Sequence, residues 1–302
     1  MSDLPLVSIV TPSLNMSRYL RESIESVLAQ DYPHLEYIVA DGGSSDRTLS
    51  LLNEYKDRLQ YFSEPDHGAA DAINKGFFRS HGDVFAFLNA DDTYLPGAIS
   101  AAVQALIENP YAAVVYGDGY WVDDSGRTLG PYPTQSFHPD ELRRECFICQ
   151  PAAFLRRSAF EEAGLVDPKL NLTFDYDLWI RIARLQPMVK IDRFLATSRM
   201  HSGNKTVGQR RAVLRETMSL LASHYGYVPY KWVCAYACHL IDQKDQFFEP
   251  TEISIPRYAL TLVLGLWHNP LHPVRFVREW SQLLSFKGLV RRFQSFFASF
   301  SR

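Results

Sequence analysis

The stretch VSIVTPSLN, residues 7–15, joins an apolar run to a polar turn and begins a pattern that repeats through the first half of the chain. Its first five residues are mostly β-branched and predict a buried strand, and residues 18–30 predict a helix whose apolar side chains share one face. Residues 35–40 predict a second strand, and residues 46–57 a second helix. This alternation predicts βαβ crossovers and a mainly parallel sheet flanked by helices, which is an α/β fold.

Polar or acidic residues follow the first four predicted strands. The strand series continues at residues 59–63, 84–88 and 112–116. The segments that follow the first four strands are PSLN at 12–15, DGGSSD at 41–46, EPDHG at 64–68 and NADD at 89–92. Ligands of open parallel sheets bind beyond the carboxyl ends of the strands. We therefore expect these four segments to line one cleft.

The pattern changes near residue 206, where helices replace the alternation of strand and helix. Helices are predicted at residues 210–225, 230–243 and 253–267, and two more after Pro273. The chain is therefore expected to form an α/β domain at residues 1–205 and a helical C-terminal region at residues 206–302.

Composition excludes several classes of protein. Of the 302 residues, 46% are hydrophobic and 22% are charged, as in globular proteins with a sizeable core, and the net charge of −3 excludes a generally basic nucleic-acid binder. The N-terminal residues show no basic segment ahead of an apolar run. The longest apolar run, residues 258–267, is about half the length that a membrane-spanning helix needs. A cytoplasmic location is expected.

Four cysteines form two short pairs, Cys146 with Cys149 and Cys234 with Cys238. The pairs lie far apart in the sequence and lack the compact spacing of zinc modules. Since free cysteine is among the residues most often buried in cores, ordinary thiols are expected rather than a zinc site.

The segment NADD, residues 89–92, directly follows an apolar strand and has the clearest chemistry. Carboxylate oxygens are the ligands that Mg²⁺ and Mn²⁺ prefer, and either cation would neutralise the charge of a departing diphosphate. The sequence contains no G-x-x-x-x-G-K-[ST] and no G-x-G-x-x-G, which disfavours phosphate-loop ATPases and Rossmann dehydrogenases. The simpler alternative is that Asp91 and Asp92 only begin a turn or cap the helix that starts near Pro96.

Five segments in fixed order resemble the family 2 glycosyltransferases, whose fold is GT-A. They are VSIVTP at 7–12 with Asn15, VADGGSSD at 39–46, GAADAINKG at 68–76, FLNADD at 87–92 and TFDYDLWIR at 173–181. The resemblance extends over residues 5–205 and is specific to the superfamily rather than to one substrate. It implies inverting transfer of a hexosyl group from a nucleotide diphosphate sugar, usually a UDP-sugar, to a glycan or polyprenyl-linked acceptor, as in polysaccharide or cell-wall biosynthesis.

The resemblance also implies which residues hold the nucleotide sugar. These residues are Thr11, Pro12, Asn15, Asp41, Asp66, Asp71, Asn89 and Lys205. Within this set, Asp41 is expected to accept hydrogen bonds from the base, and Lys205 is expected to contact the diphosphate.

The same resemblance implies the metal ligands and the catalytic base. A divalent metal, Mn²⁺ or Mg²⁺, is assigned to Asp91 or Asp92, and His201 is expected to approach it. Asp175 is assigned as the general base that deprotonates the acceptor hydroxyl. A single base and a metal-assisted leaving group imply inversion at the anomeric carbon.

Two positions depart from the family pattern. Asn89 stands where the first Asp of the D-x-D segment is expected, so a ribose contact can persist through its amide while one negative charge is lost. Phe174 stands where a Glu usually precedes the base. This replacement either raises the pKa of Asp175 by desolvation, which suits a base acting near neutral pH, or indicates a different acceptor.

Further positions are assigned lesser roles. Asp177, two residues after Asp175, is expected to be a first-turn charge stabilised by the helix dipole, and not the general acid that a glycosidase would need. Gln150 and Pro151 lie where the acceptor cleft of the family begins. His67 is expected only to shape its turn.

The C-terminal tail, from His272 to Arg302, carries six basic residues and one acidic residue among many apolar and aromatic ones. This composition at helical spacing is typical of a helix in an anionic membrane interface. The alternative is an amphipathic helix packed on the catalytic domain or on a second subunit of a homodimer. A peripheral position at the inner membrane face would make a polyprenyl-linked sugar the natural acceptor.

Two other functions compete with transfer. A sugar-nucleotide pyrophosphorylase usually carries a glycine- and arginine-rich phosphate loop after its first strand, where this chain has PSLN. A nucleotide-sugar-binding scaffold without catalysis is favoured only by Asn89 and Phe174. Retention of Asp91 and Asp175 opposes that second alternative.

Overall fold

The computed structural model describes residues 4–244, 246–247 and 254–282. The chain divides into two compact units, one comprising residues 1–204 and a second that begins at Lys205. The first unit is an α/β structure built on one sheet, and the helices described for the second unit form a separate cluster.

One sheet organises the described part of the first unit. Its strands are β1 Val7–Ser13, β2 Leu35–Asp41, β3 Gln60–Ser63, β4 Val84–Phe87, β5 Thr93–Tyr94, β6 Val114–Val122, β7 Thr128–Pro131, β8 Ala153–Arg156 and β9 Met188–Arg199. The helices of the same unit are α1 Leu20–Leu28, α2 Thr48–Glu54, α3 Ala69–Arg79, α4 Ala98–Glu108, α5 Arg157–Glu162 and α6 Phe174–Leu185, with short 3₁₀ turns at Glu141–Arg143 and Gln150–Ala152.

The sheet is parallel in its first half and mixed in its second. The strand order is β3-β2-β1-β4-β8-β6-β9-β5, with β7 paired to β6. Strands β3, β2, β1 and β4 run parallel, as the helical crossovers predict. Strand β8 is antiparallel to both β4 and β6. A hairpin and two 3₁₀ turns, instead of a crossover helix, precede β8, so the chain returns in the opposite direction.

The strand register brings the loops of the parallel half to one edge. Ser13 lies beside Asp41, and Asp41 lies beside Ser63, so β1, β2 and β3 end at the same level. Phe87, the last residue of β4, lies opposite Val10. The four polar segments that follow these strands therefore emerge together, as expected for a sheet of this kind.

Apolar side chains from strands and helices form the core beneath this edge. The rings of Phe77, Phe85 and Phe160 meet there, with centroids 4.7 to 5.0 Å apart. Helix α3 approaches β1 closely at Gly76, because a Cβ placed there would lie 2.4 Å from Cγ1 of Val10. A side chain at this position has no room.

The predicted elements occur with shifted ends. Helix α2 begins at Thr48, two residues later than predicted, and Oδ1 of Asp46 accepts a hydrogen bond from the Thr48 N–H at 2.9 Å. Strand β6 extends well past the predicted residue 116, because its second half pairs with β9. Ends are the least certain part of a sequence-based assignment.

The second unit contains α7 Lys205–Gly208, α8 Arg210–Tyr225, α9 Tyr230–Asp242, α10 Ile255–His268 and α11 Pro273–Ser281. Its core includes Leu214, Met218, Val233 and Phe276. No helix among the described residues has the length and apolar character to cross a membrane. The second helix expected after Pro273 lies outside the described residues.

Gly76→Val tests the close approach of α3 to β1. The branched side chain would collide with Val10, and overpacking of a tight core typically costs about 1–3 kcal/mol of unfolding free energy. Urea unfolding measures this loss. Asn53→Val, on the exposed face of α2, is the control and should change the unfolding free energy by no more than about 0.5 kcal/mol. Equal stability of the two variants would contradict the packing described.

Candidate active site

Asp41 organises the loop that follows β2. The carboxylate is buried, and its Oδ2 atom accepts hydrogen bonds from the N–H of Gly43 at 3.1 Å, the N–H of Ser44 at 2.9 Å and the hydroxyl of Ser63 at 2.6 Å. Its Oδ1 atom accepts the hydroxyl of Ser44. Most of the accepting capacity of this carboxylate is therefore used within the protein, which holds the loop in shape before any ligand binds.

Asn15 joins the loop after β1 to the same structure. Its backbone has a φ of 54°, a left-handed conformation that Asn tolerates better than most residues. Its side-chain oxygen accepts the N–H groups of Ser45 at 2.8 Å and Asp46 at 3.3 Å. Burial acts to raise the pKa of Asp46, but hydrogen bonds from Thr48 and Ser17 outweigh it and lower the pKa to about 2. Both loops are thus fixed to one another by ionised and amide groups.

Thr11 and Pro12 lie at the buried end of β1. The hydroxyl of Thr11 is 3.0 Å from the hydroxyl of Tyr37 on the neighbouring strand. Both predicted nucleotide-lining residues are buried in β1, directly before the Asn15 loop.

Asp66 and Asp71 lie at the start of α3, beside the loop of Asp41. Oδ1 of Asp66 accepts the N–H of Gly68 at 2.8 Å, and a Cβ at Gly42 would lie 2.4 Å from Oδ2 of Asp66. Asp71 accepts the backbone N–H of His67 at 3.1 Å and pairs with Lys75 at 3.2 Å. Burial acts to raise the pKa of Asp71, and these two partners outweigh it, so the pKa is lowered.

Asn89 is held by two side chains. Its amide nitrogen donates to Oδ2 of Asp92 at 3.2 Å and to Oε1 of Gln150 at 3.1 Å. Gln150 is itself fixed, because its amide nitrogen donates to the backbone oxygen of Phe87 at 2.6 Å. Gln150 thus orients Asn89, and the position of Gln150 at the acceptor cleft stays a prediction.

Asp92 points into the protein. Its side chain is buried, the residue being 3% exposed, and Oδ1 accepts the backbone N–H of Arg199 at 2.9 Å. Burial, together with the nearby charge of Asp91, raises the pKa of Asp92 well above its ordinary value. The assignment of Asp92 as a metal ligand stays a prediction.

Asp91 and His201 face each other. Oδ2 of Asp91 lies 3.1 Å from Nε2 of His201, and both side chains remain partly accessible. Two ligands at adjacent corners of a six-coordinate Mg²⁺ lie about 3 Å apart, since each metal–ligand bond is about 2.1 Å long. Asp91 and His201 are therefore the two side chains that would hold a divalent cation here. No larger cluster of His, Cys, Asp and Glu suited to a metal exists among the described residues.

Arg199 connects the site to three other segments, and sequence reasoning missed it. The residue is 3% exposed, and its Nε donates to the backbone oxygen of Asp91 at 3.0 Å. One Nη donates to the backbone oxygens of Asp123 at 3.3 Å and Asp124 at 3.1 Å, and the other forms an ion pair with Glu22. The only sequence signal is the position of this Arg two residues before His201.

Tyr19 packs against His201 and Arg199. Its ring centroid lies 4.7 Å from that of His201, and the Arg199 guanidinium carbon lies 5.2 Å from its ring. Its hydroxyl donates to Oδ1 of Asp124. No sequence motif singled out this tyrosine.

Asp175 lies in the first turn of α6. Its Oδ1 accepts the N–H of Tyr176 at 2.8 Å. The Phe174 ring, largely buried, lies 6.2 Å from the ring of Phe87, which joins the start of α6 to the carboxyl end of β4. Burial raises the pKa of the Cys146 thiol, and the charge of Asp175 adds to this rise, so the two groups are close neighbours. Phe174 therefore has a packing role at this junction.

Asp177 and Lys205 lie in other surroundings. Oδ2 of Asp177 pairs with Nε of Arg181 at 2.7 Å, and Arg181 donates to the backbone oxygen of Leu165 at 2.6 Å, so this carboxylate ties α6 to the chain after α5. Lys205 is exposed and is the first residue of the second unit. Its contact with a diphosphate stays a prediction, as do the ligand-binding roles of the other residues.

Solved structures of similar shape identify the fold. TarS from S. aureus, residues 1–349 in complex with UDP-GlcNAc, superposes with a TM-score of 0.59 at 14% identity over 88% of this chain and 82% of that one. A mannosyltransferase from Pyrobaculum calidifontis, in complex with GDP-Man and Mn²⁺, gives a TM-score of 0.58 at 18% identity over 94% of this chain and 86% of that one. The fold is that of the GT-A glycosyltransferases, with C-terminal helices added.

Sequence comparison identifies the family. The model of glycosyl transferase family 2 matches residues 8–164, and the chain belongs to this family. An uncharacterized glycosyltransferase of Rickettsia typhi is 32% identical over 67% of this chain and 66% of its own length. A relative from Rickettsia felis is 33% identical over 67% of this chain but only 36% of its own length. This chain therefore spans a third to two thirds of these two relatives.

A third relative is named for a biosynthetic process. It is a PGL/p-HBAD biosynthesis glycosyltransferase of Mycobacterium bovis, 32% identical over 59% of this chain and 69% of its own length. The resemblance inferred from the five sequence segments is thus confirmed at the level of family and fold.

Arg199→Met tests the hydrogen-bond network around Asp91 and His201. Removing one partner of a buried charged network typically costs about 3–5 kcal/mol, because the groups left behind lose their hydrogen bonds. Thermal or urea unfolding measures this loss. Glu22→Gln is the matched control: the Glu22 side chain is 60% exposed, so its loss should cost at most about 1 kcal/mol. Similar stability of the two variants would show that Arg199 does not stabilise the loop that carries Asp91.

Proposed function

We propose that this chain transfers a hexosyl group, with inversion, from a nucleotide diphosphate sugar to a hydroxyl of a glycan or a lipid-linked acceptor. The observation that carries the proposal is the Asp91–His201 pair, in which Oδ2 of Asp91 lies 3.1 Å from Nε2 of His201. The pair lies near the sheet edge where the loops of Asn15 and Asp41 also emerge. Such an edge is where open α/β sheets bind nucleotides.

UDP is the proposed nucleotide, and GDP is the second candidate. One neighbour of the same fold holds UDP-GlcNAc and another holds GDP-Man with Mn²⁺, so both bases occur on this architecture. The ordered loops of Asn15 and Asp41 form the base and ribose side of the proposed pocket. Asn89 is proposed to contact a sugar or ribose hydroxyl through its side-chain oxygen, because its amide nitrogen already donates to Asp92 and Gln150.

Asp91 and His201 are the proposed protein ligands of Mn²⁺ or Mg²⁺. A bound cation would neutralise the negative charge that develops on the departing diphosphate. Arg199 holds the backbone of Asp91 through its Nε, and Tyr19 fixes the ring of His201. The chain thus sets the position of the two ligand atoms before the donor arrives.

Asp175 is the proposed general base. Its position in the first turn of α6, which Phe174 joins to Phe87 at the end of β4, supports this assignment. It would accept the proton of the acceptor hydroxyl as the oxygen attacks the anomeric carbon, opposite the departing diphosphate. Asp177 takes no part in this step, because it is committed to Arg181.

A location at the inner face of the membrane completes the proposal. The basic and aromatic composition of residues 272–302 supports it, and a polyprenyl-linked sugar is the acceptor that such a location would provide. Residues 283–302 of this segment lie outside the described residues.

Donor turnover tests the metal ligands. Nucleotide release is measured from a panel of UDP-, GDP- and dTDP-sugars with Mn²⁺ or EDTA. One donor should be hydrolysed slowly by the wild type, and EDTA or Asp91→Ala should lower that rate at least about 100-fold, because the leaving charge is no longer neutralised. Asp192→Ala, at a carboxylate whose side chain is 98% exposed, is the control and should keep the wild-type rate. Calorimetric donor binding without release, even with membrane extract as acceptor, would instead favour a non-catalytic scaffold.

Asp175→Asn tests the base. With an acceptor supplied, the transfer rate should fall about 10²–10⁴-fold, while donor affinity stays within about threefold, because only the proton acceptor is lost. Asp177→Asn serves as the matched carboxylate variant. It should lower the unfolding free energy through Arg181 and leave transfer by the folded protein largely intact. Reversal of the two outcomes would exclude Asp175 as the base.

A further inference from the structure

Helix α10 of the second unit has one buried side and one exposed side. Gly265 faces α11 so closely that a Cβ there would lie 1.8 Å from Cε1 of Phe276. On the same side, the rings of Tyr258 and Trp280 stack with centroids 4.2 Å apart, and Thr261 is buried. These contacts determine which side of α10 is covered.

The opposite side is apolar and exposed. It continues through the turn into α11, and its large side chains are Ile255, Val263, Leu266, Trp267, Leu271 and Val274. Trp267 is 80% exposed and Leu271 is 83% exposed. At about 100° per residue, the members on α10 fall within an arc of about 120°. We call this set the α10 face.

No formal charge interrupts this region. From Tyr258 to Val274 the sequence has no Asp, Glu, Lys or Arg. Residues 258–267, the apolar run that is too short to span a membrane, therefore have a continuous apolar side. A helix of 14 residues is about 21 Å long, which is shorter than the hydrocarbon layer but suits a helix lying along its surface.

Basic residues follow the α10 face along the chain. Arg275 and Arg278 are exposed on α11, beside a single acid, Glu279. The 20 residues after α11 and its last turn contain Lys287, Arg291, Arg292 and Arg302 and no acidic residue. A two-fold dimer through this face would bring these like charges together with their symmetry mates. An anionic bilayer surface would attract them.

We infer that the α10 face inserts into the interface of an anionic membrane, with α10 lying parallel to the surface and Trp267 and Leu271 reaching deepest. Tryptophan favours this interface because its ring is apolar and its N–H is polar. The inference extends the proposed membrane location to a surface upstream of the tail. Vesicle binding requires neither donor nor acceptor, so its failure would leave the proposed transfer activity untouched.

Vesicle flotation of the full chain tests the inference. The probes are phosphatidylcholine vesicles with and without about 30% phosphatidylglycerol, an anionic lipid. The wild type should bind the anionic vesicles, and Trp267→Ser with Leu271→Ser should weaken that binding at least about tenfold, because two inserted side chains are lost at unchanged net charge. Phe78→Ser with Ile107→Ser, at exposed apolar positions of the first unit, is the control and should bind as the wild type does.

Folding and depth are checked separately. Leu271→Ser alone alters only an exposed turn residue and should weaken binding while leaving the unfolding midpoint unchanged. Quenching of tryptophan emission by lipids brominated in their acyl chains should occur in the wild type and fall clearly in Trp267→Phe.

Several outcomes would overturn the inference. They are failure of the wild type to bind anionic vesicles, equal binding by the Trp267 and Leu271 variants, or absence of bromine quenching that depends on Trp267. Shielding of Trp267 from iodide before vesicles are added would show that another part of the chain covers the face. A wild-type dimer that the double substitution dissociates, with vesicle binding unchanged, would assign the face to a second copy.

Discussion

The buried guanidinium of Arg199 is the interaction on which the site depends. It holds the backbone of Asp91, two carbonyls of the turn after β6, and Glu22 on α1. The backbone N–H of Arg199 donates to the side chain of Asp92. Arginine suits this task because its five donors have a fixed planar arrangement and its charge is permanent. The orientation of the Asp91 carboxylate toward His201 thus results from contacts made well outside the motif.

The fold was largely predictable from the sequence because periodicity reports burial directly. The parallel strands β1 to β4 and the loops that follow them are where the alternation of apolar and polar residues places them. The antiparallel return of β8 was not predictable, because it depends on a long irregular connection with no periodic signal. The doubled length of β6 escaped prediction for a similar reason, since pairing with β9 sustains its second half.

The residue types of the site were predictable from the sequence, whereas the contacts between their side chains were less so. Sequence order could place Asp91 and Asp92 together but could not tell that one faces His201 and the other is buried against Arg199. The structural roles of Gln150 and Phe174 are evident only from their contacts with Asn89 and Phe87, which are distant in sequence. Such contacts depend on the tertiary structure, which the local secondary-structure propensity of the sequence does not report.

The loops of Asp41 and Asn15 have a consequence for the thermodynamics of ligand capture. Their carboxylate and amide oxygens already hold the backbone N–H groups of the neighbouring turn in a single conformation. A nucleotide bound as proposed would meet loops that are already held by hydrogen bonds, so little chain entropy would be lost on association. Discrimination between nucleotides would then depend on shape and on the few acceptor positions left open.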